Sequence, residues 1–209
     1  MGLLISFEGI DGCGKSTQIK LLHEKLNNNN IKTLIFREPG DTSFSNKIRD
    51  ILLDNNNKIC SASEMLLFLS ARAQLVKEKI IPSFKEHRVV LLDRYIDSTV
   101  AYQGYGRMLN KTIINSLNMF AVNKAIPNLT FILNVDPKVC IDRIKNNHLD
   151  RIESAGYEFL KNVSDGYLEI ASNDSERCKV INCNDKDILT IHDEIINIYN
   201  VYSREDMSI

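Results

Sequence analysis

The sequence predicts an α/β fold, a five-stranded parallel sheet with helices on both faces, and three observations lead there. Five short apolar runs, at residues 3–7, 33–36, 89–92, 129–135 and 179–181, lack the apolar–polar alternation of a half-exposed strand. Strands buried on both faces read this way, and parallel sheets are where they occur. Segments with apolar residues at helical spacing lie between the runs, so strand and helix alternate along the chain. A Gly-rich turn joins the first run to the first helical segment.

In chain order, Leu3-Leu4-Ile5-Ser6-Phe7 is the first strand, and residues 15–26 form a helix with Ile19, Leu22 and Leu26 on one stripe and Leu21 beside it. Met1-Gly2 with Ser6 fits a loose lipidation pattern, but the apolar run that follows reads as a buried strand. Asn27–Asn30 is polar punctuation before the second strand, as Asn55–Asn57 is later. A long helix is expected over residues 63–84, the third strand at 89–92, and a helix at 112–125. After the fourth strand come helices at 137–145 and 157–172, the fifth strand, and a last helix at 188–199, with fraying after Tyr202. No internal repeat or Pro/Ser-rich linker interrupts the chain, so residues 1–209 read as a single domain.

Hydrophobic residues make up 44% and charged residues 25% of the chain, which excludes a disordered protein. Twenty-six Lys and Arg against 27 Asp and Glu leave a net charge of −1, giving no basic face for nucleic acid and no membrane anchor. No apolar run is long enough to span a membrane. Cys13, Cys60, Cys140, Cys178 and Cys183 are scattered and odd in number, as in a reduced cytoplasmic protein. His23, His87, His148 and His192 have no metal-ligand spacing.

Gly9-Ile10-Asp11-Gly12-Cys13-Gly14-Lys15-Ser16 matches GxxxxGK[ST], and Thr17 follows it. Glycines let successive backbone N–H groups turn toward phosphate oxygens, and the new helix adds its positive end. Lys15 supplies a charge to the outer phosphates and the Ser16 hydroxyl can ligate Mg²⁺, so the chain is expected to bind ATP. Cys13 lies at a helix N-terminus, a setting that activates thiols. Alkylation at Cys13 with protection by ATP is the expectation, although a small residue filling that place is the simpler reading.

Arg37 and Arg94 directly follow the second and third strands, where ligands of open α/β sheets gather. Singly, each equally suits a surface ion pair. Phe68 and Arg72 are four apart on one helix, placing a ring beside a guanidinium, as a stacked base with an anion clamp requires. With Leu66, Leu67 and Leu69 around it, Phe68 alone reads as core.

Together these residues resemble the thymidylate kinase family. The matching stretches are the phosphate loop, Arg37-Glu38-Pro39-Gly40, Phe68-Leu69-Ser70-Ala71-Arg72, Asp93-Arg94-Tyr95 with Ser98-Thr99 and Ala101-Tyr102-Gln103-Gly104, and Asp150-Arg151-Ile152-Glu153. The resemblance implies a P-loop kinase fold, a homodimer, and transfer of the ATP γ-phosphoryl to dTMP. It implies that Arg37, Arg72 and Arg94 steady the monophosphate and nearby base oxygens, that Phe68 stacks on thymine, and that Ser98 and Thr99 bond the base. Tyr102 falls where the sugar 2′ carbon is crowded, Gln103 lines the same pocket, and Asp11 and Asp93 lie near the 3′-hydroxyl and the Mg²⁺.

Some members of the family carry Arg where this chain has Gly12, and those with Gly place their cations in a lid. The lid is expected at about 143–155, with Arg143, Lys145 and Arg151 as its cations; Lys145 equally suits a solvated helix end. Lys15, Arg94, Asp93 and Arg151 are the expected catalytic set. Asp41 replaces a usual Gly, and Asp tolerates the positive φ such a turn needs. A deoxynucleoside kinase would share the loop and the Asp-Arg-Tyr turn but have less use for three arginines. A GTPase switch is the non-kinase alternative, and Asn123-Lys124-Ala125-Ile126 lacks the Asp that would bond guanine.

Overall fold

The structure, a computed structural model, describes residues 2–86, 89–145 and 149–206, with the side chains of 204–206 excepted. His87 and His148, for which no metal-ligand role is expected, lie outside the described residues, as do the lid residues 146–148 and the final tail residues 207–209.

The sheet is five-stranded and all parallel, in the order β2-β3-β1-β4-β5. Its strands are β1 (Leu3–Glu8), β2 (Thr33–Arg37), β3 (Val89–Asp93), β4 (Leu129–Asn134) and β5 (Cys178–Asn182). β3 is buried throughout and β1 nearly so, which is why neither alternates in sequence. Ser6, a polar residue inside β1, is satisfied by the Thr130 hydroxyl on β4 at 2.7 Å.

The helices are α1 (Lys15–Asn28), α2 (Ser43–Leu53), α3 (Ser61–Leu75), α4 (Ile81–Phe84), α5 (Ile96–Thr99), α6 (Lys111–Val122), α7 (Pro137–Ile144), α8 (Tyr157–Asn173) and α9 (Ile188–Asp206). α1 buries Ile19, Leu22 and Leu26, the stripe that its sequence predicts. The expected helix over 63–84 is two α-helical stretches, α3 and α4, joined by a wide π turn at Val76–Ile80. Pro82 lacks the N–H that a uniform ladder would use, and the wider turn absorbs the mismatch.

Two α-helical segments, and a 3-10 turn at Glu153–Ala155, have no counterpart in the sequence reading. α2 starts at Thr42, whose hydroxyl accepts the Ser45 N–H at 3.0 Å. α5 continues through a second wide turn, Val100–Gly106. α9 runs four residues past Tyr202 to Asp206 rather than fraying there. Asn123 and Lys124 adopt φ of 45° and 72°, so they terminate α6 instead of addressing a guanine.

One large cluster packs β1, β4, α1, α8 and α9 on one face of the sheet, with Phe7 and Phe131 in ring contact at 5.2 Å. A second, around Leu75, Val90, Leu92 and Tyr95, packs the other face. Register brings Phe7, Arg37 and Asp93 into one row, so the carboxyl ends of β1, β2 and β3 open at the same edge. Among the described residues, no helix is long and apolar enough to cross a membrane.

Candidate active site

The loop of residues 9–14 joins β1 to α1 in a curl that needs glycine at particular positions. Gly9 has φ of 137°, and a Cβ there would fall 2.7 Å from the Leu133 carbonyl oxygen. Gly12 has φ of 84°, and a Cβ there would fall 2.7 Å from the Cys140 carbonyl oxygen at α7. The Lys15 ammonium lies within the curl, donating to the Gly9 and Ile10 carbonyls at 3.0 Å and standing 3.9 Å from Asp11. Cys13 is only 3% exposed, its sulfur 3.7 Å from the Lys15 ammonium. That burial favours the simpler reading, a small residue filling its place.

All the residues expected to face the acceptor line one cavity: Asp11, Arg37, Phe68, Arg72, Arg94, Ser98, Thr99, Tyr102 and Gln103. Arg94 adopts φ of 73°, a strained backbone for a non-glycine residue and one that concentrates at functional sites. Its Nη2 donates to Asp11 at 2.7 Å and to the Tyr102 hydroxyl at 2.9 Å. Its Nη1 donates to the Gly9 carbonyl at 2.9 Å, and the guanidinium stacks 4.8 Å from the Tyr102 ring centre. Burial alone would raise the Asp11 carboxyl, but Arg94 and then Lys15 hold it well below the usual carboxylate range.

Arg72 is buried with all five of its N–H donors directed at protein groups. They reach Glu38 twice, the Thr99 hydroxyl, the Asn118 amide oxygen and the Tyr95 carbonyl. Arg72 therefore builds the cavity wall. Burial raises the Glu38 carboxyl, with Arg72 opposing. The exposed Arg37 and half-buried Arg49 complete the cationic rim, Arg49 donating to the Pro39 carbonyl at 2.9 Å. Asp41 does have positive φ, 64°, and its carboxylate accepts the Arg37 backbone N–H.

A second cavity lies on the other side of the loop, lined by Gly12, Cys13, Gly14, Thr17, Gln18 and Arg143 together with Cys183, Lys186, Ile188 and Ile191. Arg143 donates to the Gly12 carbonyl at 3.0 Å. The two cavities thus meet at the loop, Asp11 facing one and Gly12 the other.

A profile of the family described as Thymidylate kinase matches residues 7–195. The thymidylate kinase of Thermoanaerobacter sp. (strain X514) is 41% identical over 96% of this chain and 98% of its own length. That of Fervidobacterium nodosum is 42% identical over 96% of this chain and all of its own. The crystal structure of thymidylate kinase from Ehrlichia chaffeensis superposes with a TM-score of 0.79 at 35% identity, covering 96% of this chain and 100% of that one.

The chain belongs to the thymidylate kinase family.

In this member of the thymidylate kinase family, the described residues of the segment expected to be the lid make contacts in different places. Lys145 is exposed at the end of α7 and pairs with Asp142 at 3.1 Å. Arg151 is held by residues of α2 and α3. Its Nη1 pairs with Glu64 at 2.7 Å and its Nε donates to the Leu52 carbonyl at 2.9 Å, docking the segment on α2 and α3. Asp150 and Ile152 consequently line the acceptor cavity. Glu64 also accepts from Gln103 at 2.9 Å and Arg107 at 3.2 Å. Burial raises its carboxyl, but those bonds, Arg107 first, leave it lowered. Of the three expected lid cations, it is Arg143 that reaches the loop.

The Ser16 hydroxyl donates to Asp93 at 2.9 Å, placing two hard oxygen ligands together beside the loop. Among the described residues, no cluster of three or more His, Cys, Asp or Glu is arranged to hold a metal. A sparse oxygen set fits Mg²⁺, which keeps several waters and draws its remaining ligands from phosphates.

Glu8, Glu38, Arg49, Glu64 and Tyr167 are site residues that sequence reasoning missed. Two carried a local signal: Glu38 lies in the Arg37-Glu38-Pro39-Gly40 stretch, and Arg49 falls one turn after Ser45 on the face of α2 toward the site.

Proposed function

We infer that the chain is a dTMP kinase, moving the γ-phosphoryl of ATP to dTMP to give dTDP and ADP in dTTP synthesis. The observation that carries the assignment of residues is the pair of cavities meeting at one phosphate loop, one rimmed by arginines and holding an aromatic ring. On this reading the loop amides, the α1 N-terminus and Lys15 hold the ATP phosphates. Thr17 and Arg143 line the nucleoside side of the same donor. Arg37, Arg49 and Arg94 receive the dTMP phosphate, Phe68 stacks on thymine, and Ser98, Thr99 and Gln103 face its edge. Arg72 shapes that pocket through Glu38 and Thr99, while Tyr102 and Asp11 border the sugar.

Ser16 and Asp93 would hold Mg²⁺, which when bound neutralises charge on the ATP phosphates. The acceptor is already a phosphate anion, so no general base is required. The protein's task is to align two nucleotides and exclude water. The docked segment at 149–155 covers the acceptor from α2 and α3.

Arg143 is the cation assigned to the donor, and Arg151 holds the segment in place. Arg143→Ala is expected to raise the KM for ATP about tenfold and leave the KM for dTMP within about twofold. Arg151→Ala is expected to lower stability by about 1–3 kcal/mol and to act on dTMP more than on ATP. Steady-state kinetics and thermal melts of both variants check this, and the reverse pattern would return the donor role to Arg151.

We read the assembly as a homodimer, joined through the exposed apolar residues Leu66 on α3 and Ile113, Met119 and Phe120 on α6. The five free cysteines fit a cytoplasmic location. One preparation tests the whole reading. Coupled ADP release is expected to be fastest with dTMP, slower with dUMP, and slowest with thymidine and AMP, and the protein is expected to sediment as two chains. Faster turnover of thymidine than of dTMP would make the protein a nucleoside kinase instead.

A further inference from the structure

Glu8 ends β1 and is fully buried. Its carboxylate accepts the Tyr95 backbone N–H at 2.7 Å, the Ser98 hydroxyl at 2.6 Å and the Tyr167 hydroxyl at 3.1 Å. The two hydroxyl oxygens are 2.8 Å apart, and each accepts from Nη1 of Arg94 at 3.2 Å. The polarity of this cluster follows from its members. A carboxylate only accepts and a guanidinium only donates. The hydroxyl hydrogens therefore run toward Glu8, directly or from Tyr167 through Ser98, and the lone pairs turn toward Arg94. A neutral group at position 8 would bring a hydrogen of its own against Ser98. The Ser98 hydrogen then turns to the Tyr167 oxygen, 2.8 Å away, and competes with Arg94 for its lone pairs.

We propose that Glu8 is a positioning residue for the acceptor site, orienting through Ser98 and Tyr167 the lone pairs that aim Arg94 at the dTMP phosphate. The proposal rests on Arg94 serving the acceptor, as inferred above. Glu8 itself is walled off from the cavity by the residues it orients.

The charged and titratable groups facing Glu8 come from every element around it. Arg94 follows β3, and Asp97 on α5 is paired with Arg177 at 2.7 Å. Tyr167 lies on α8, and Cys178 begins β5. Burial first and Asp97 second push the Glu8 carboxyl up to about 7, against Ser98, Arg94 and Tyr95. The oriented state belongs to the ionised carboxylate, so it is favoured on the alkaline side and is lost as pH falls.

The test is steady-state kinetics of the full chain with dTMP and ATP about one pH unit below and about one unit above neutrality. For the wild type, the KM for dTMP is expected to rise on the acid side beyond what ionisation of the dTMP phosphate produces. Glu8→Gln is expected to raise the KM for dTMP about tenfold at both pH values, lose that extra acid rise, and leave the KM for ATP within about twofold. Tyr167→Phe keeps the carboxylate, so it should raise the KM for dTMP about threefold and retain the acid rise.

A Glu8→Gln protein that melts like the wild type and shows its dTMP KM and pH curve would overturn the proposal, as would equal changes for ATP and dTMP. If Glu8→Gln does not fold, the wild type and Tyr167→Phe decide, since a wild-type curve explained by the dTMP phosphate alone also overturns it. Arg94→Ala separates two kinds of failure. If it too leaves the KM for dTMP unchanged, the acceptor reading falls; if it raises that KM while Glu8→Gln does not, only the positioning role of Glu8 falls.

Discussion

Arg94→Ala is expected to lower kcat/KM for dTMP by about 10²–10³. The guanidinium lines the acceptor cavity and stands between Asp11 and the carbonyl of Gly9, the first residue of the phosphate loop. It is therefore placed to touch both the acceptor phosphate and the path of the transferred group. Lysine is not an adequate substitute. Arg94 uses both terminal nitrogens at once, on Asp11 and Tyr102 with one and on Gly9, Ser98 and Tyr167 with the other. A single ammonium cannot reproduce that fork.

The same variant has a signature in stability. Asp11 is held below its ordinary range mainly by Arg94. A depressed carboxyl contributes stability above its unfolded value, about pH 4, and that contribution disappears as pH falls toward the lower folded value. Acid melts of the wild type should show this loss below about pH 4. In Arg94→Ala the loss should be smaller, because Lys15 alone, at 3.9 Å, still holds Asp11. Identical acid profiles would separate Asp11 from Arg94.

Lys15→Ala is expected to reduce kcat by about 10²–10³ while the affinity for dTMP stays within about threefold. The ammonium is 6% exposed and lies inside the curl of residues 9–14, on the Gly9 and Ile10 carbonyls. It is therefore the positive charge nearest the place where the loop amides converge. Removing it leaves the acceptor cavity intact, since Lys15 does not line that cavity. Single-turnover kinetics and calorimetry with dTMP read the two quantities separately. A parallel loss of dTMP affinity would mean that Lys15 serves the acceptor instead.

Local pattern in the sequence carried the sheet and most of the helices. Every strand appears within a few residues of its apolar run. β1, β3 and β4 are buried on both faces as expected, whereas the edge strands β2 and β5 are partly exposed and were legible only because Ile35 and Val180 keep apolar residues on their open side. α2 was illegible for the converse reason. Phe44 and Ile51 are exposed while Ile48 and Leu52 are buried, so apolar residues on both sides of the helix blur its stripe. The Ile96–Gly106 stretch is β-branched and Gly-bearing, and it is helical only through a wide turn that tertiary packing imposes.

In the site, a residue was readable when a motif or its place at a strand end announced it, as with Lys15, Arg37 and Arg94. Glu8 had no such cue, because the partners that define it lie 87 to 159 positions away. That Arg143 bonds the loop while Arg151 bonds Glu64 and the Leu52 carbonyl is likewise a matter of three dimensions. Both are arginines in one basic stretch, and only the packing of α7 against Gly12 tells them apart.

That packing bears on how the two arrangements in this family are related. With the Cys140 carbonyl pressed where a side chain at position 12 would begin, an arginine cannot be grafted there alone. The root of α7 would have to retreat first, carrying Arg143 away from the donor. In this chain, therefore, placing the cation at position 12 and keeping it at Arg143 are competing demands on one packing contact.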